Sequence, residues 1–143
     1  MQIQLLNETQ AETIHRRQMT RDFPEAELKP FSAVRGLMRR GLYEPLALYE
    51  EGSLVSYAWQ TVLPDCATAL LDYFAVLPEL RGKGAGTRTL HALAEYYAPR
   101  KRTLLIECEH PAEVPDPAEA RRRIGFYLHA GARATAMEGR VFG

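Results

Sequence analysis

Residues 72–97, "DYFAVLPELRGKGAGTRTLHALAEYY", join an apolar run to a helical pattern through three glycines. The preceding "LLDYFAV" has the composition of a strand, whereas Leu90, Leu93 and Tyr97 recur at helical spacing. A glycine-rich turn from strand to helix leaves unpaired N–H groups at the positive end of the helix dipole. Such a turn favours a phosphate or pyrophosphate, and the alternative is a tight turn without a ligand.

Composition predicts one domain over residues 1–143. Of the 143 residues, 46% are hydrophobic and 25% charged, and 18 basic residues balance 18 acidic ones. No global field therefore draws the chain to nucleic acid or a membrane. There is no secretory leader and no apolar run near the roughly 20 residues of a membrane span, so we expect a cytoplasmic protein. Cys66 and Cys108 are expected to be free thiols, and the histidine spacing predicts no metal site.

Periodicity and caps predict the order β-α-α-β-β-β-α-β-α-β. The predicted strands are 2–6, 43–50, 53–63, 70–76, 102–109 and 132–138, the fifth of them fully buried. The predicted helices are 8–21 after the cap Asn7, 31–40 before Gly41, one that follows the glycines and ends before Pro99, and 118–130 after the cap Asp116. The three middle strands are expected to form an antiparallel meander.

Basic residues surround the glycines although the whole chain is neutral. Between residues 81 and 102 the cations are Arg81, Lys83, Arg88, Arg100, Lys101 and Arg102, against the single acid Glu95. For Arg81 and Lys83 we favour contact with an anionic ligand. For residues 100–102 a solvated helix end, which the helix dipole also favours, explains the charges equally well.

The segment 75–90, "AVLPELRGKGAGTRTL", resembles motif A of the GNAT superfamily of acyl-CoA-dependent N-acetyltransferases, V-x-P-x-x-[RQ]-G-x-G-x-[GA]. The matching residues are Val76, Pro78, Arg81, Gly82, Gly84 and Gly86. A second block, "RRRIGFYLHAGAR", is similar to the family's late tyrosine helix, with Tyr127 at the tyrosine and Ala132 in place of the usual aromatic residue. The predicted element order is also that of the family.

This resemblance implies a mixed α/β fold with a mostly antiparallel central sheet and helices on both faces. It implies acetyl-CoA as co-substrate, with strands 70–76 and 102–109 parallel and splayed around the thioester. The residues that it assigns to acetyl-CoA are Ala75, Val76, Arg81, Gly82, Lys83, Gly84, Ala85, Gly86 and Thr87. The backbone N–H groups from Arg81 to Thr87 would hold the pyrophosphate, and Tyr127 would protonate the leaving thiolate.

An amine must lose its proton before it attacks a thioester, which at pH 7 costs about 4.6 kcal/mol for a pKa near 10.4. Alternation along "LLIECE" places Glu107 and Glu109 on one strand face, so Glu107 is a candidate general base or ammonium clamp with Glu109 nearer the mouth. The alternatives are pairing with residues 121–123 or a solvated strand end. Asp72 either positions an amine or makes a structural hydrogen bond.

The segment 23–31 corresponds to the part of the family's fold that lies over the acceptor site, and Phe23 and Phe31 from it, together with Tyr43, are the further candidate acceptor contacts. Between residues 103 and 120 the chain has five acids and no Lys or Arg, as would suit a cationic acceptor. The leading hypothesis is therefore an enzyme that moves acetyl from acetyl-CoA to a primary amine of a small molecule by direct attack.

The alternatives are acetylation of a protein amine and a catalytically silent acyl-CoA-binding sensor or subunit. Nucleic-acid binding ranks last because the basic segment lacks interleaved aromatic residues. Family members finish with two strands after the tyrosine helix, and residues 132–143 suffice for one strand and a stub. Either the sequence is truncated, or a second copy covers the open sheet edge in a homodimer.

Overall fold

The computed structural model describes residues 1–64, 67–109 and 111–133. It contains two compact units, Met1–Leu105 and Ile106–Gly143. Among the described residues, the first unit holds five strands and four α-helices, and the second holds one α-helix. Apart from residues 132 and 133, which have no regular structure, the strand predicted for 132–138 lies outside the described residues.

A five-stranded sheet forms the centre of the first unit, with the strands in the spatial order β1-β2-β3-β4-β5. The strands are β1 Gln2–Leu5, β2 Tyr43–Glu50, β3 Ser53–Val62, β4 Thr68–Val76 and β5 Thr103–Leu105. The first four pair antiparallel, and β5 runs parallel to β4. Glu51 and Gly52, both with positive φ, make the tight turn between β2 and β3. The prediction of a mixed, mostly antiparallel sheet is confirmed.

One face of the sheet carries the helices that precede β2. They are α1 Glu8–Ile14, a π-helical segment His15–Met19, α2 Thr20–Asp22 and α3 Phe31–Arg39. The predicted cap Asn7 accepts a hydrogen bond from the Gln10 N–H in a complete capping box. The α3 helix ends before Gly41, whose φ of +71° suits a residue without Cβ. Tyr57 and Trp59 of β3 are fully buried in the core that these helices share with the sheet.

The other face carries α4, Ala85–Tyr97. Ser56 and Gln60 alternate along β3 with Tyr57 and Trp59, and their side chains therefore point away from α1–α3. The Ser56 hydroxyl lies 2.7 Å from that of Thr89 in α4, and the Gln60 amide donates to the Tyr97 hydroxyl at 3.2 Å. Helices thus cover both faces of the sheet, as expected.

The fully buried strand predicted over residues 102–109 is wrong. β5 spans Thr103–Leu105 only, Thr103 is exposed, and Leu104 and Leu105 are half-buried. Residues 106–109 form no strand. The parallel ladder ends at the pair Leu70 and Leu105, and alternating apolar and acidic side chains beyond it do not make a strand without a partner's backbone.

In the second unit, α5 spans Pro117–His129. Asp116 caps it as predicted, because its carboxylate accepts the Glu119 N–H at 3.2 Å. The Glu119 side chain forms an ion pair with Arg122. Gly131, with a φ of +108°, follows the helix at the predicted end.

Candidate active site

The glycine turn, residues 81–87, connects the end of β4 to the first turn of α4. A short 3-10 helix, Pro78–Leu80, leads into it, and Gly84 is the N-cap of α4. Gly82 and Gly84 have φ values of +80° and +78°, a region that glycine enters without the steric penalty of a Cβ. The predicted sequence of strand, turn and helix is therefore present.

Most of the backbone N–H groups of this turn are unpaired. Among the described residues, the N–H groups from Gly82 to Thr87 have no hydrogen-bond acceptor. They lie at the N-terminus of a 13-residue helix, where the dipole favours negative charge. The N–H of Arg81 instead donates to the Pro78 carbonyl at 3.3 Å. Of the N–H groups predicted to hold the pyrophosphate, that of Arg81 is thus already paired, whereas those from Gly82 to Thr87 are not.

Arg88 fastens the turn to β2. Its Nε and Nη2 donate to the two carboxylate oxygens of Glu50, each at 2.9 Å, and its Nη1 donates to the Lys83 carbonyl at 2.9 Å. This hydrogen bonding by Arg88 lowers the pKa of Glu50. A single guanidinium thus holds both the end of a strand and the middle of the turn.

Most of the other cations near the turn also have partners within the fold. The Arg81 Nε donates to the Val76 carbonyl at 3.0 Å, and its Nη2 lies 3.6 Å from Oδ1 of Asp22. Arg100 lies over the ring of Tyr96 and donates to that residue's carbonyl. Lys83 is exposed and has no ion-pair partner in the described part of the chain. Of the two side chains predicted to meet the ligand, Lys83 is the one left available.

The parallel ladder between β4 and β5 is short. Three residue pairs form its ladder, which ends at Leu70 and Leu105, whereas β4 continues to Val76. Ala75 and Val76 in this last part of β4 are half-buried. Sheets of this kind bind ligands outside the carboxyl ends of their strands, where two strands separate.

Asp72 lies in a β-bulge of β4 and already binds an ammonium group. Trp59 pairs with Tyr73 and Gln60 with Leu71, which leaves Asp72 as the extra residue. The Tyr43 hydroxyl donates to the Asp72 carboxylate at 2.6 Å, and Lys29 Nζ lies 2.9 Å and 3.1 Å from its two oxygens. The same Nζ lies 5.4 Å from the centre of the Tyr73 ring.

The predicted acceptor contacts differ in exposure. Phe31 is 8% exposed and Tyr43 is 4% exposed, so both rings belong to the core and neither ring face is open to an acceptor. Burial, followed by the neighbouring Asp72, raises the pKa of Tyr43. Phe23 is half-buried with its ring edge-on to Tyr73 at 5.1 Å. Of the three, Phe23 is the one that an acceptor can reach.

In the second unit, Glu107 and Glu109 are exposed, whereas the fully buried strand predicted over residues 102–109 would have buried their carboxylates. Tyr127 is half-buried, and burial raises its pKa. The nearby Cys108 raises this pKa further, whereas Arg123 lowers it. Burial also raises the pKa of Cys108. Tyr127 thus retains its proton at neutral pH, as a proton donor must.

Two residues in this geometry were not identified from the sequence. Lys29 binds Asp72, and Asp22 receives Arg81. Both lie far along the chain from their partners, and both looked like ordinary charges of a turn-rich segment. No cluster of metal-binding side chains occurs among residues 1–64, 67–109 and 111–133, and none of their helices combines the length and apolar character of a membrane span.

The sequence matches the acetyltransferase (GNAT) family over residues 8–131, a range that extends across both units. The chain therefore belongs to the GNAT acetyltransferase family and is an acyltransferase. No curated protein matches the sequence significantly.

Solved structures with this fold include a protein described as a GNAT-family acetyltransferase from Bacteroides thetaiotaomicron, 25% identical, with a TM-score of 0.76 over 92% of this chain and 71% of that one. Another is the ribosomal-protein-alanine N-acetyltransferase of Brucella melitensis, 20% identical, with a TM-score of 0.67 over 100% and 99%. A third is an aminoglycoside acetyltransferase from a soil metagenomic sample, solved with sisomicin, 12% identical, with a TM-score of 0.63 over 95% and 90%.

Proposed function

We propose that this protein transfers an acetyl group from acetyl-CoA, the general donor of its family, to a primary amine of a small molecule. The observation that carries the proposal is the row of unpaired N–H groups from Gly82 to Thr87 at the start of α4. These groups bind the pyrophosphate, and Lys83 adds a positive charge. Ala75 and Val76 flank the pantetheine arm, and acetyl-CoA supplies the activated acyl group.

The chain's own residues support direct attack by the amine, without a covalent enzyme intermediate. A nucleophilic cysteine needs a lowered pKa, and burial raises that of Cys108. Tyr127, protonated at neutral pH, donates its proton to the leaving thiolate. Glu107 accepts the ammonium proton through water, a route that its exposure favours, and Glu109 extends the acidic surface.

A cationic acceptor fits the surroundings of Asp72. The Asp72 carboxylate and the Tyr73 ring there already hold one primary ammonium, that of Lys29. An incoming ammonium can use the same groups once Lys29 moves aside, with Phe23 beside them. Lys29 is 40% exposed on its side chain, so water can replace the contact that it loses.

Acetylation of a protein amine is the second candidate. Two of the structural neighbours bear the names of ribosomal-protein-alanine N-acetyltransferases, from Brucella melitensis and Escherichia coli. A third is named for aminoglycosides. The same fold thus serves both kinds of acceptor, and the choice has to be made by experiment.

The test is a thiol-release assay with acetyl-CoA and three separate acceptors: spermidine, sisomicin and a peptide with an N-terminal alanine. Turnover of spermidine or sisomicin supports the proposal, and turnover of the peptide alone supports the second candidate. A folded protein that binds acetyl-CoA but turns over none of these acceptors favours a silent acyl-CoA-binding module. The role of Glu107 as the base is tested with Glu107→Gln, which should lower the rate of thiol release. Glu113→Gln, which changes an acid with no proposed role, is the control and should not.

A further inference from the structure

We propose that Asp22 is a positioning residue for the glycine turn: through Arg81 it holds the turn in the geometry that binds acetyl-CoA. The inference rests on the proposed function, since it concerns the donor site. Asp22 is the last residue of α2 and lies outside the family motif that contains the turn. The effect proposed for it is exerted through Arg81 and not by contact with the donor.

The Asp22 carboxylate is almost completely buried, with 4% of its side chain exposed. Burying a charge is costly unless partners surround it. Tyr57 of β3 donates its hydroxyl to Oδ2 at 2.8 Å, and Arg21 Nε donates to Oδ1 at 2.9 Å. Hydrogen bonding to Asp22, after burial, raises the pKa of Tyr57. The hydrogen bond from Tyr57 thus fixes Asp22 to the sheet independently of Arg81.

Arg81 connects this fixed carboxylate to the turn. Its Nη2 lies 3.6 Å from Asp22 Oδ1, while its Nε donates to the carbonyl of Val76, the last residue of β4. The residue directly after Arg81 is Gly82, the first of the turn with a positive φ. A guanidinium held at both ends restricts the backbone where the unpaired N–H groups begin. Without it, the donor must order that backbone on binding, at a cost in affinity.

Arg21 and Arg81 offer a matched comparison because both approach Oδ1 of the same buried carboxylate. Only Arg81 belongs to the turn. If Asp22 served the fold alone, loss of Asp22 or of Arg21 would change stability and leave donor affinity unaltered. If Asp22 positions the turn, donor affinity falls with Asp22 and Arg81 and is independent of Arg21.

The experiment measures the acetyl-CoA Kd by calorimetry for the wild type, Asp22→Asn, Arg81→Gln, Arg21→Gln and the double variant of Asp22 and Arg81. Because Arg81 is 54% exposed on its side chain, we expect a modest effect: Kd rises roughly three- to tenfold in Asp22→Asn. The double variant should be no weaker than Arg81→Gln alone, and Arg21→Gln should bind like the wild type.

Equal affinity in Asp22→Asn and the wild type, or additive losses in the double variant, would overturn the proposal while leaving the proposed function intact. A folded wild type that fails to bind acetyl-CoA overturns both. If Asp22→Asn does not fold, Arg81→Lys decides, because it keeps the charge but cannot span Val76 and Asp22 together. Weaker binding by Arg81→Lys supports positioning, and unchanged binding contradicts it.

Discussion

Burial of Tyr127 favours the protonated phenol, which is the form that the proposed proton transfer requires. Burial raises the pKa of the phenol above its ordinary value of about 10. The O–H is therefore present below this raised pKa and is lost as the pH rises through it. The rate constant kcat should accordingly show no loss from Tyr127 between about pH 7 and pH 10, and a fall only at higher pH.

Tyr127→Phe removes the proton donor and preserves the ring. We expect kcat to fall about a hundredfold or more, as for loss of a general acid, with the acetyl-CoA Kd unchanged. Thiol-release kinetics and calorimetry measure the two quantities. Tyr96→Phe is the control, since Tyr96 lies on α4 against Arg100 and has no proposed role. Equal kcat in Tyr127→Phe and the wild type would remove Tyr127 from the mechanism.

Among the elements, α4 depends on a buried pair of hydroxyls for its attachment to β3. Ser56 and Thr89 are both fully buried, their hydroxyl oxygens lie 2.7 Å apart, and Thr89 also donates to the Ala85 carbonyl at 2.7 Å. The chain of hydrogen bonds therefore runs from Ser56 through Thr89 to the first turn of α4. This places the helix N-terminus, and with it the anion site, relative to the sheet.

Thr89→Val keeps the shape of the side chain but leaves the Ser56 hydroxyl without an acceptor. We expect a loss of about 1–3 kcal/mol in the free energy of unfolding, and a smaller loss for Ser56→Ala because Thr89 then still bonds Ala85. Urea denaturation measures both. Thr20→Val is the control, since the Thr20 hydroxyl makes the same type of bond, to the Arg16 carbonyl, on an exposed residue. Equal losses in the variants of Thr89 and Thr20 would contradict the account.

The elements that local chemistry specifies could be predicted from the sequence. Asn7 and Asp116 identified two helix starts, and the tight turn before Ser53 identified the hairpin of β2 and β3. The end of β5 could not be predicted, because the alternating side chains of residues 106–109 also suit a strand although the ladder to β4 ends at Leu105. Strand length is decided by a partner's backbone, which periodicity does not reveal.

For the site, sequence reasoning identified the turn and could not identify what holds it. The glycines fit a local requirement for positive φ and bare N–H groups. The partners of Arg81 and Asp72, by contrast, are chosen by the packing of α2 and the following segment on the sheet. In the sequence alone, a charged residue shows no partner and is therefore interpreted as available to a ligand. In the folded protein, Arg81 pairs with Asp22 and Lys29 pairs with Asp72.

For the whole molecule, the prediction of one domain over residues 1–143 can be tested on its two compact units, Met1–Leu105 and Ile106–Gly143, by asking whether they unfold together. One domain predicts that both units unfold in a single transition. Trp59, the single tryptophan of the sequence, reports on the first unit by fluorescence. Thiol labelling of Cys108, resolved by peptide mass spectrometry, reports on the second. The two urea midpoints should coincide, and clearly separate midpoints would indicate two domains.

The proposed function depends above all on binding of acetyl-CoA by the glycine turn. The most direct test is calorimetry of acetyl-CoA with the wild type, Gly84→Val and Gly36→Ala. A Cβ at Gly84, where φ is +78°, costs about 1–2 kcal/mol in the conformation that presents the following N–H groups, whereas one at Gly36 in α3 meets no atom within 4 Å. We expect binding by the wild type and Gly36→Ala, and binding weaker by about tenfold or more in folded Gly84→Val. Unchanged binding in Gly84→Val, or no binding by the folded wild type, would contradict this expectation.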